Sequence, residues 1–309
     1  NLTLEDVTAT AGNTGSSMID NWGTLTIESG TYTGGLNVVK SEEGSTLTIN
    51  GGKYTLEHGV ANGYTATILN YGAATISGGE FIANAQNAPK AYPYVVITGV
   101  VEGYTSSTTI TGGTFTDTSK GWRTGVLWAL GKATSDNFEV SGGTFNKSIS
   151  EGYCANGFIP TKNADGTYGV KEGKYVASVG SKNYETLADA IRLAAKGKTV
   201  KLLDDVTENI EIAKAKNFTL DLNGHTINGG TGNAKATITN YGTVTITDKS
   251  TAKTGTIKRN DNGTVGETSY YVIRNLGTMT IEQAIVTNNS GYRKTNPSGP
   301  MTGSSLICN

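Results

Sequence analysis

The chain has 309 residues with 42 Gly, only 5 Pro and 17 % charged residues, a composition that excludes a disordered polar chain and suits a compact, turn-rich β protein. Its 25 Lys and Arg are balanced by 26 Asp and Glu, so no overall field draws in nucleic acid, an anionic membrane or a polyanionic polysaccharide. Cys154 and Cys308 lie far apart and match neither a metal-site spacing nor a disulfide framework, so both are read as free thiols.

Nothing near Asn1 has the basic and apolar regions of a signal peptide, and an excised or processed chain is expected. The longest apolar runs, 94–101 and 126–130, fall far short of the ~20 residues of a membrane helix, so no membrane insertion is expected.

The first element is Asn21 to Tyr32, NWGTLTIESGTY, and the chain keeps rewriting it: Ser45 to Tyr54, Asn70 to Phe81, Ser107 to Phe115, Asn137 to Phe145, Asn240 to Ile246 and Asn275 to Ile281. In TLTI the side chains alternate, which puts Leu25 and Ile27 on one face of a strand and Thr24 and Thr26 on the other. The marker residues Ile27, Ile49, Ile76, Ile110 and Val140 are 22, 27, 34 and 30 residues apart. An elastic period of short strands split by Gly and Asn turns predicts an all-β solenoid, with length variation confined to loops. Gly-Gly pairs such as Gly78-Gly79 supply positive φ at the corner, and Tyr32, Tyr54, Phe81, Phe115 and Phe145 are expected to stack one on another. About a dozen coils at ~4.8 Å spacing predict a rod on the order of 55 Å long.

The pattern breaks between Cys154 and Leu203 and divides the chain into segments 1–170 and 171–309. Asp165-Gly166 predicts a hairpin turn, and Lys174 to Val179 a strand. Asn183 is expected to cap a helix from Tyr184 to Lys196, with Leu187, Ala190, Ile191 and Ala194 on one face and Gly197 as the stop. A strand over Thr199 to Leu203 follows, then Ile210 to Ile212, Phe218 to Leu222 and Thr226-Ile227.

The run YETLADAIRLAAKGKTVKLLDDV and the following NFTLDLNGHTI, within Tyr184 to Ile227, resemble the helix-capped first coil of right-handed parallel β-helix domains of the pectin-lyase-like architecture. Gly152 to Gly173 is similar to the segment that closes the preceding helix in such proteins. The resemblance implies a right-handed parallel β-helix with one internal capping helix near 184–196, and a place in large secreted surface proteins of Gram-positive anaerobic bacteria. Its motifs concern coil packing rather than activity.

Thr278 to Asn309 aligns with Asn1 to Asn21, pairing Ile281 with Leu4 and Asn309 with Asn21, a superperiod of about 288 residues. An open coil is expected at each end. Either a longer parent chain continues, or copies stack head to tail with Met279 and Ile281 against Leu2 and Leu4.

A polysaccharide lyase of this architecture needs clustered carboxylates for Ca²⁺ beside a basic residue, and a hydrolase needs facing carboxylates. The candidates have structural readings. On a strand, Asp204 and Asp205 point to opposite faces, and their place in the capping coil suits a turn. Asp221 suits a hydrogen bond to a neighbouring coil, and Glu42-Glu43 a solvated turn. Of the five arginines, Arg123, Arg192, Arg259, Arg274 and Arg293, Arg192 lies on the cap helix, and Arg274 is expected to face solvent beside Lys258 or Arg259. His58 and His225 belong to loops and offer no zinc cluster or triad. Gly229 to Gly232 lacks the following helix of a phosphate loop.

The aromatics are the better ligand candidates. Trp22, Tyr71 and Tyr241 occupy equivalent positions after the repeat Asn, where they suit either sugar stacking or inter-coil stacking. Trp122 and Trp128 flank GWRTGVLWAL, outside the repeat pattern, as a contact loop or a core insertion. The outward Thr-x-Thr pairs are interrupted by Ala73 and Glu139, and β propensity accounts for them better than ice binding. Asn146-Lys147-Ser148 and Asn217-Phe218-Thr219 match the glycosylation pattern, which carries little meaning in a bacterial chain.

Together these features predict a non-catalytic extracellular or cell-surface β-solenoid, a rigid stalk, adhesin or filament subunit without cofactor or metal. Its expected partners are neighbouring copies, adjacent repeats, carbohydrate or a host surface. The alternative is a carbohydrate-binding domain or a polysaccharide lyase or hydrolase of the β-helix type.

Overall fold

A computed structural model describes residues 1–12, 15–229, 235–259, 271–288 and 306–309. The chain divides into two compact units, Asn1–Gly173 and Lys174–Asn309. Both are built from parallel sheets, with one α-helix among the described residues, in unit 2.

In unit 1 the chain visits three sheets in rotation. The first sheet runs Leu2–Leu4, Thr24–Ile27, Thr46–Ile49, Ala73–Ile76, Ser107–Ile110 and Phe138–Val140. Its register places Leu4, Ile27, Ile49, Ile76, Ile110 and Val140 one on the next, so the marker spacing in the sequence is the repeat of the sheet. The second sheet stacks Val7–Ala11, Gly30–Gly34, Lys53–Leu56, Glu80–Ala83, Thr114–Asp117 and Thr144–Phe145. Here the rings of Tyr32, Tyr54, Phe81, Phe115 and Phe145 form the expected column, with centroids 5.1, 4.9, 4.9 and 4.9 Å apart. The two tyrosines keep their hydroxyls satisfied by donating to Ser29 O and Gly51 O, which is how a polar ring tip fits a buried column.

The third sheet of unit 1 runs Ile19–Asn21, Val39–Ser41, Tyr64–Asn70, Tyr92–Val100 and Gly125–Gly131. GWRTGVLWAL is therefore no insertion. Its strand pairs in register with Tyr92–Val100, as Val96 with Leu127 and Thr98 with Ala129. The departure from the sequence pattern arises because this sheet packs apolar side chains on both faces, which erases the alternation.

The repeat Asn has a specific task. Asn70 is fully buried; its Oδ1 accepts from Gly72 N, and its Nδ2 donates to Gly72 O, Ser107 O and Thr108 Oγ1 at 2.8–3.1 Å. One side chain thereby closes its own turn and ties it to the next. Asn21, Asn240 and Asn275 close the same Asn-x-Gly turn through Gly23, Gly242 and Gly277, and Asn240 Nδ2 donates to Asn275 Oδ1 at 2.8 Å. The Gly-Gly corner divides its labour. A Cβ on Gly78 would lie 2.4 Å from Asn50 O of the preceding turn, while Gly79 takes φ +109°.

Unit 1 closes with an antiparallel hairpin, Phe158–Lys162 and Tyr168–Glu172, whose second strand pairs Tyr168 with Phe145. The Asp165-Gly166 turn falls where expected, with Asp165 Oδ1 accepting from Thr167 N.

Unit 2 opens with antiparallel strands Ala177–Val179 and Lys182–Tyr184 and a helix over Leu187–Leu193. The helix is shorter than 184–196. Thr186, not Asn183, is its cap, accepting from Asp189 N, while Asn183 and Tyr184 are held in the antiparallel strand. Both Glu208 oxygens accept from the first helical N–H groups, of Leu187 and Ala188, at 2.9 and 3.0 Å, matching the positive end of the helix dipole. Leu187, Ala190, Ile191 and Ala194 form the buried face as predicted. Three sheets follow in rotation: Thr199–Leu202, Asn217–Asp221, Thr243–Thr247 and Thr278–Ile281; Val206–Thr207, Thr226–Gly229, Thr256–Arg259 and Ile285–Asn288; Ile210–Ile212, Ile238–Asn240, Ile273–Asn275 and Ile307–Cys308.

Asp248 holds the turn of unit 2 at Gly224 and Gly255. Burial pushes its carboxyl up, but hydrogen bonds from Ser250, from the Gly255 and Gly224 amides and from the Ser250 amide together outweigh burial, so its pKa lies below the ordinary carboxylate value.

Two outcomes follow for stability. Asn70→Ala leaves the buried Gly72 N–H without its acceptor and removes the side-chain link to Ser107 O and Thr108 Oγ1, and is expected to cost unit 1 roughly 2–4 kcal/mol in denaturant unfolding; a loss under ~0.5 kcal/mol rules out the turn-tying role. Because the Asp248 pKa is depressed on folding, its contribution is complete above the unfolded carboxyl value of about 3.9 and disappears as pH falls through the folded value. Asp248→Asn should therefore flatten the acid limb of unit 2 unfolding; an unchanged limb overturns this assignment.

Candidate functional site

The outward face of the third sheet in unit 1 collects aromatic side chains. Tyr64 stacks on Tyr92 at 5.0 Å and Tyr92 on Trp122 at 6.3 Å, a row of one ring per turn, with Trp122 in the bend before its strand. A second row joins Tyr94 to Trp128 at 5.4 Å over Ala66, Leu69 and Ile97. Burial raises the Tyr94 pKa to about 12. Tyr92 lies between two rings, so both its faces are used, whereas Trp122 ends its row with 67 % of its surface exposed. Trp128 is half-buried, and its Nε1 has no hydrogen-bond partner among the described residues.

The repeat-position aromatics are not neighbours. Asn21 pairs with Ser41 and Ser41 with Asn70, so the rung of Glu42 separates Trp22 from Tyr71. Trp22 is 67 % exposed. Tyr71 leans over Gly99, where a Cβ would lie 2.4 Å from its ring, and Lys40 Nζ sits 5.9 Å from its centroid. Glu42 is buried and paired with Lys40, not a solvated turn residue, because its side chain is held between these rungs. Glu43 is half-buried.

Tyr241 belongs to unit 2, where it borders a recess of about 390 Å³ on the outward face of the third sheet, together with Glu211, Lys235, Thr239, Tyr271, Arg274 and Cys308. Register puts Glu211, Thr239, Arg274 and Cys308 in one column, one residue per strand. Arg274 faces solvent there, but not beside Arg259, which is buried in the second sheet and donates to Lys235 O. Among the described residues neither the Glu211 carboxylate nor the Arg274 guanidinium has a hydrogen-bond or ion-pair partner.

Asp204, Asp205 and His225 offer ligand atoms within 4.8 Å of one another. The acids sit in a bend after Thr199–Leu202, so the strand alternation that set them on opposite faces does not apply. Asp204 Oδ2 accepts from Lys174 Nζ at 2.6 Å, and this bond holds its carboxyl below the usual range. Asp205 Oδ1 accepts from Thr226 N at 2.8 Å and lies 3.5 Å from His225 Nδ1. Asp221 is buried and accepts from Asn223 N and from Lys249 N of the adjoining turn, its expected role. His58 and Arg123 are exposed. Arg192 pairs with Asp189 on the helix. Arg293 and Gly230 to Gly232 lie outside the described residues.

Leu2 and Leu4 lie on an end strand of the first sheet in unit 1; Leu2 is exposed, and Leu4 packs against the core. Met279 and Ile281 lie on an end strand in unit 2, Met279 half-buried and Ile281 exposed. Both cysteines are free, and burial, then Glu151, pushes the Cys154 thiol up to about 11.

Sequence reasoning missed Glu211 and the partners Tyr64 and Tyr92. Their signal is register: Tyr64 and Tyr92 both open strands of the third sheet, and Glu211 precedes Ile212 as Arg274 precedes Asn275.

The exposed row end and the buried column should separate on truncation. Trp122→Ala is expected to change unit 1 stability by less than about 1 kcal/mol, while Phe81→Ala costs about 3–5 kcal/mol in the same unfolding measurement. Equal losses would mean that Trp122 is a packing residue. Comparison of the chain with protein-family models, curated proteins and solved structures finds no match.

Proposed function

We propose that each unit is a right-handed parallel β-helix and that the chain is a non-catalytic extracellular, cell-surface β-solenoid, a rigid stalk, adhesin or filament subunit. The observation that carries this reading is where the polar chemistry is used. The buried Asn and Asp side chains close turns and link successive strands, and of the acids weighed for catalysis Glu42 and Asp204 are paired with lysine while Asp205 and Asp221 accept from backbone amides. A catalytic carboxylate has to face substrate in a cleft. The right hand follows from the strong preference of parallel crossover connections.

End-to-end stacking is a second element of the proposal. The end strands Thr278–Ile281, Ile285–Asn288 and Ile307–Cys308 align with Leu2–Leu4, Val7–Ala11 and Ile19–Asn21 and keep most of the same alternation of apolar and polar positions, and both sets are sheet edges. In unit 1 the latter are covered by the next turn in register. An edge of the same pattern fits a turn of the same kind, from an adjoining repeat or another copy.

Incubation with a polysaccharide panel, with and without Ca²⁺, is expected to release no new reducing ends or unsaturated sugars; cleavage would overturn the non-catalytic reading. Stacking is checked by sedimentation at rising concentration. Association that Ile281→Lys abolishes is the expected result, and a strict monomer at every concentration counts against stacking between copies.

A further inference from the structure

We propose that the recess on the outward face of unit 2 binds short zwitterionic peptides, with Arg274 taking the carboxylate end and Glu211 the ammonium end. This goes beyond the mechanical role and does not depend on it.

The recess of about 390 Å³ falls in the range of small-ligand sites. Two of its charged groups are uncommitted. Register sets Glu211 against Thr239 and Thr239 against Arg274, so acid and guanidinium stand on one column with a neutral rung between them. Two rungs separate their backbones by roughly 10 Å. Neither has an ionic partner among the described residues, unlike Asp204, Asp189 and Glu42, each of which is paired. Opposite charges held apart on one face complement a ligand that carries both signs at a similar spacing. Three extended residues span roughly 10 Å.

Each contact has a chemical basis. A guanidinium binds a carboxylate through two parallel N–H donors. Glu211 is an acceptor without a proton to give, so it calls for a donor such as an ammonium group. Thr239, between them, both donates and accepts and suits a peptide group. Tyr241 and Tyr271 supply apolar faces to the middle side chain. A simple anion would engage Arg274 and the neighbouring Lys235 but leave the Glu211 carboxylate without a donor, and a neutral sugar would leave the guanidinium without its counter-charge.

The test titrates the full chain with trialanine, acetyl-trialanine, trialanine amide and the doubly blocked peptide, following amide chemical shifts by NMR. Trialanine is expected to bind at millimolar concentration or tighter, with each single block weakening it about tenfold and the double block abolishing measurable binding. Arg274→Gln should make trialanine and its amide equivalent, and Glu211→Gln should do the same for trialanine and its acetylated form. The blocked peptides test the assignment without altering the protein, and both variants replace exposed side chains. Absence of trialanine binding, or equal affinity for free and blocked peptides, overturns the proposal. Binding of acetyl-trialanine as tightly as trialanine would mark a bare anion site and overturns it equally.

Discussion

Parallel pairing without slippage is the constraint on which both units depend. Once Ile27 stands on Ile49 and Ile49 on Ile76, this inward position receives its own kind from the turns on either side, and the neighbouring column of Leu25, Leu47, Ala74, Thr108 and Phe138 is carried in the same register. A ring is then packed by a ring at about 5 Å and an aliphatic side chain by another at the strand spacing. The turns have to arrive in phase for this to hold. The buried Asn-x-Gly closures and the Gly-Gly corners enforce that phase, since each links its own turn to a carbonyl of the next or leaves room only for a backbone.

The inside of this protein was largely legible in its sequence, because alternation and period are properties of the covered face. TLTI and the aromatic after Gly-Gly announce their positions directly. The third sheet of unit 1 was harder to read. Tyr92–Val100 and Gly125–Gly131 are apolar on both faces, so period-two patterning vanishes, and a rung of the sheet resembles an interruption. The helix cap was misplaced by three residues because Asn183 and Thr186 both offer capping chemistry, and only the antiparallel pairing of Lys182–Tyr184 decides between them.

Outward positions obey a different logic. Nothing in the spacing of Glu211 and Arg274, which lie 63 residues apart, announces that they share a column, because the intervening turns vary in length. A complete turn, with Glu42 at the equivalent position, stands between Trp22 and Tyr71. Equivalent places in a repeat are not adjacent places in a sheet, and the count of strands between them decides which side chains meet.

The short reach of every turn bears on how such a chain acquires its structure. Parallel strand pairings in unit 1 join residues 20 to 34 apart, so each new turn closes one modest loop whatever the length already formed, and loop-closure entropy rises only logarithmically with loop size. Assembly can therefore proceed by zipping from a nucleus rather than by a search for distant partners. In unit 2 the helix Leu187–Leu193 is joined to this scheme by an equally short link, since Glu208, which clamps its first turn, lies about 20 residues on.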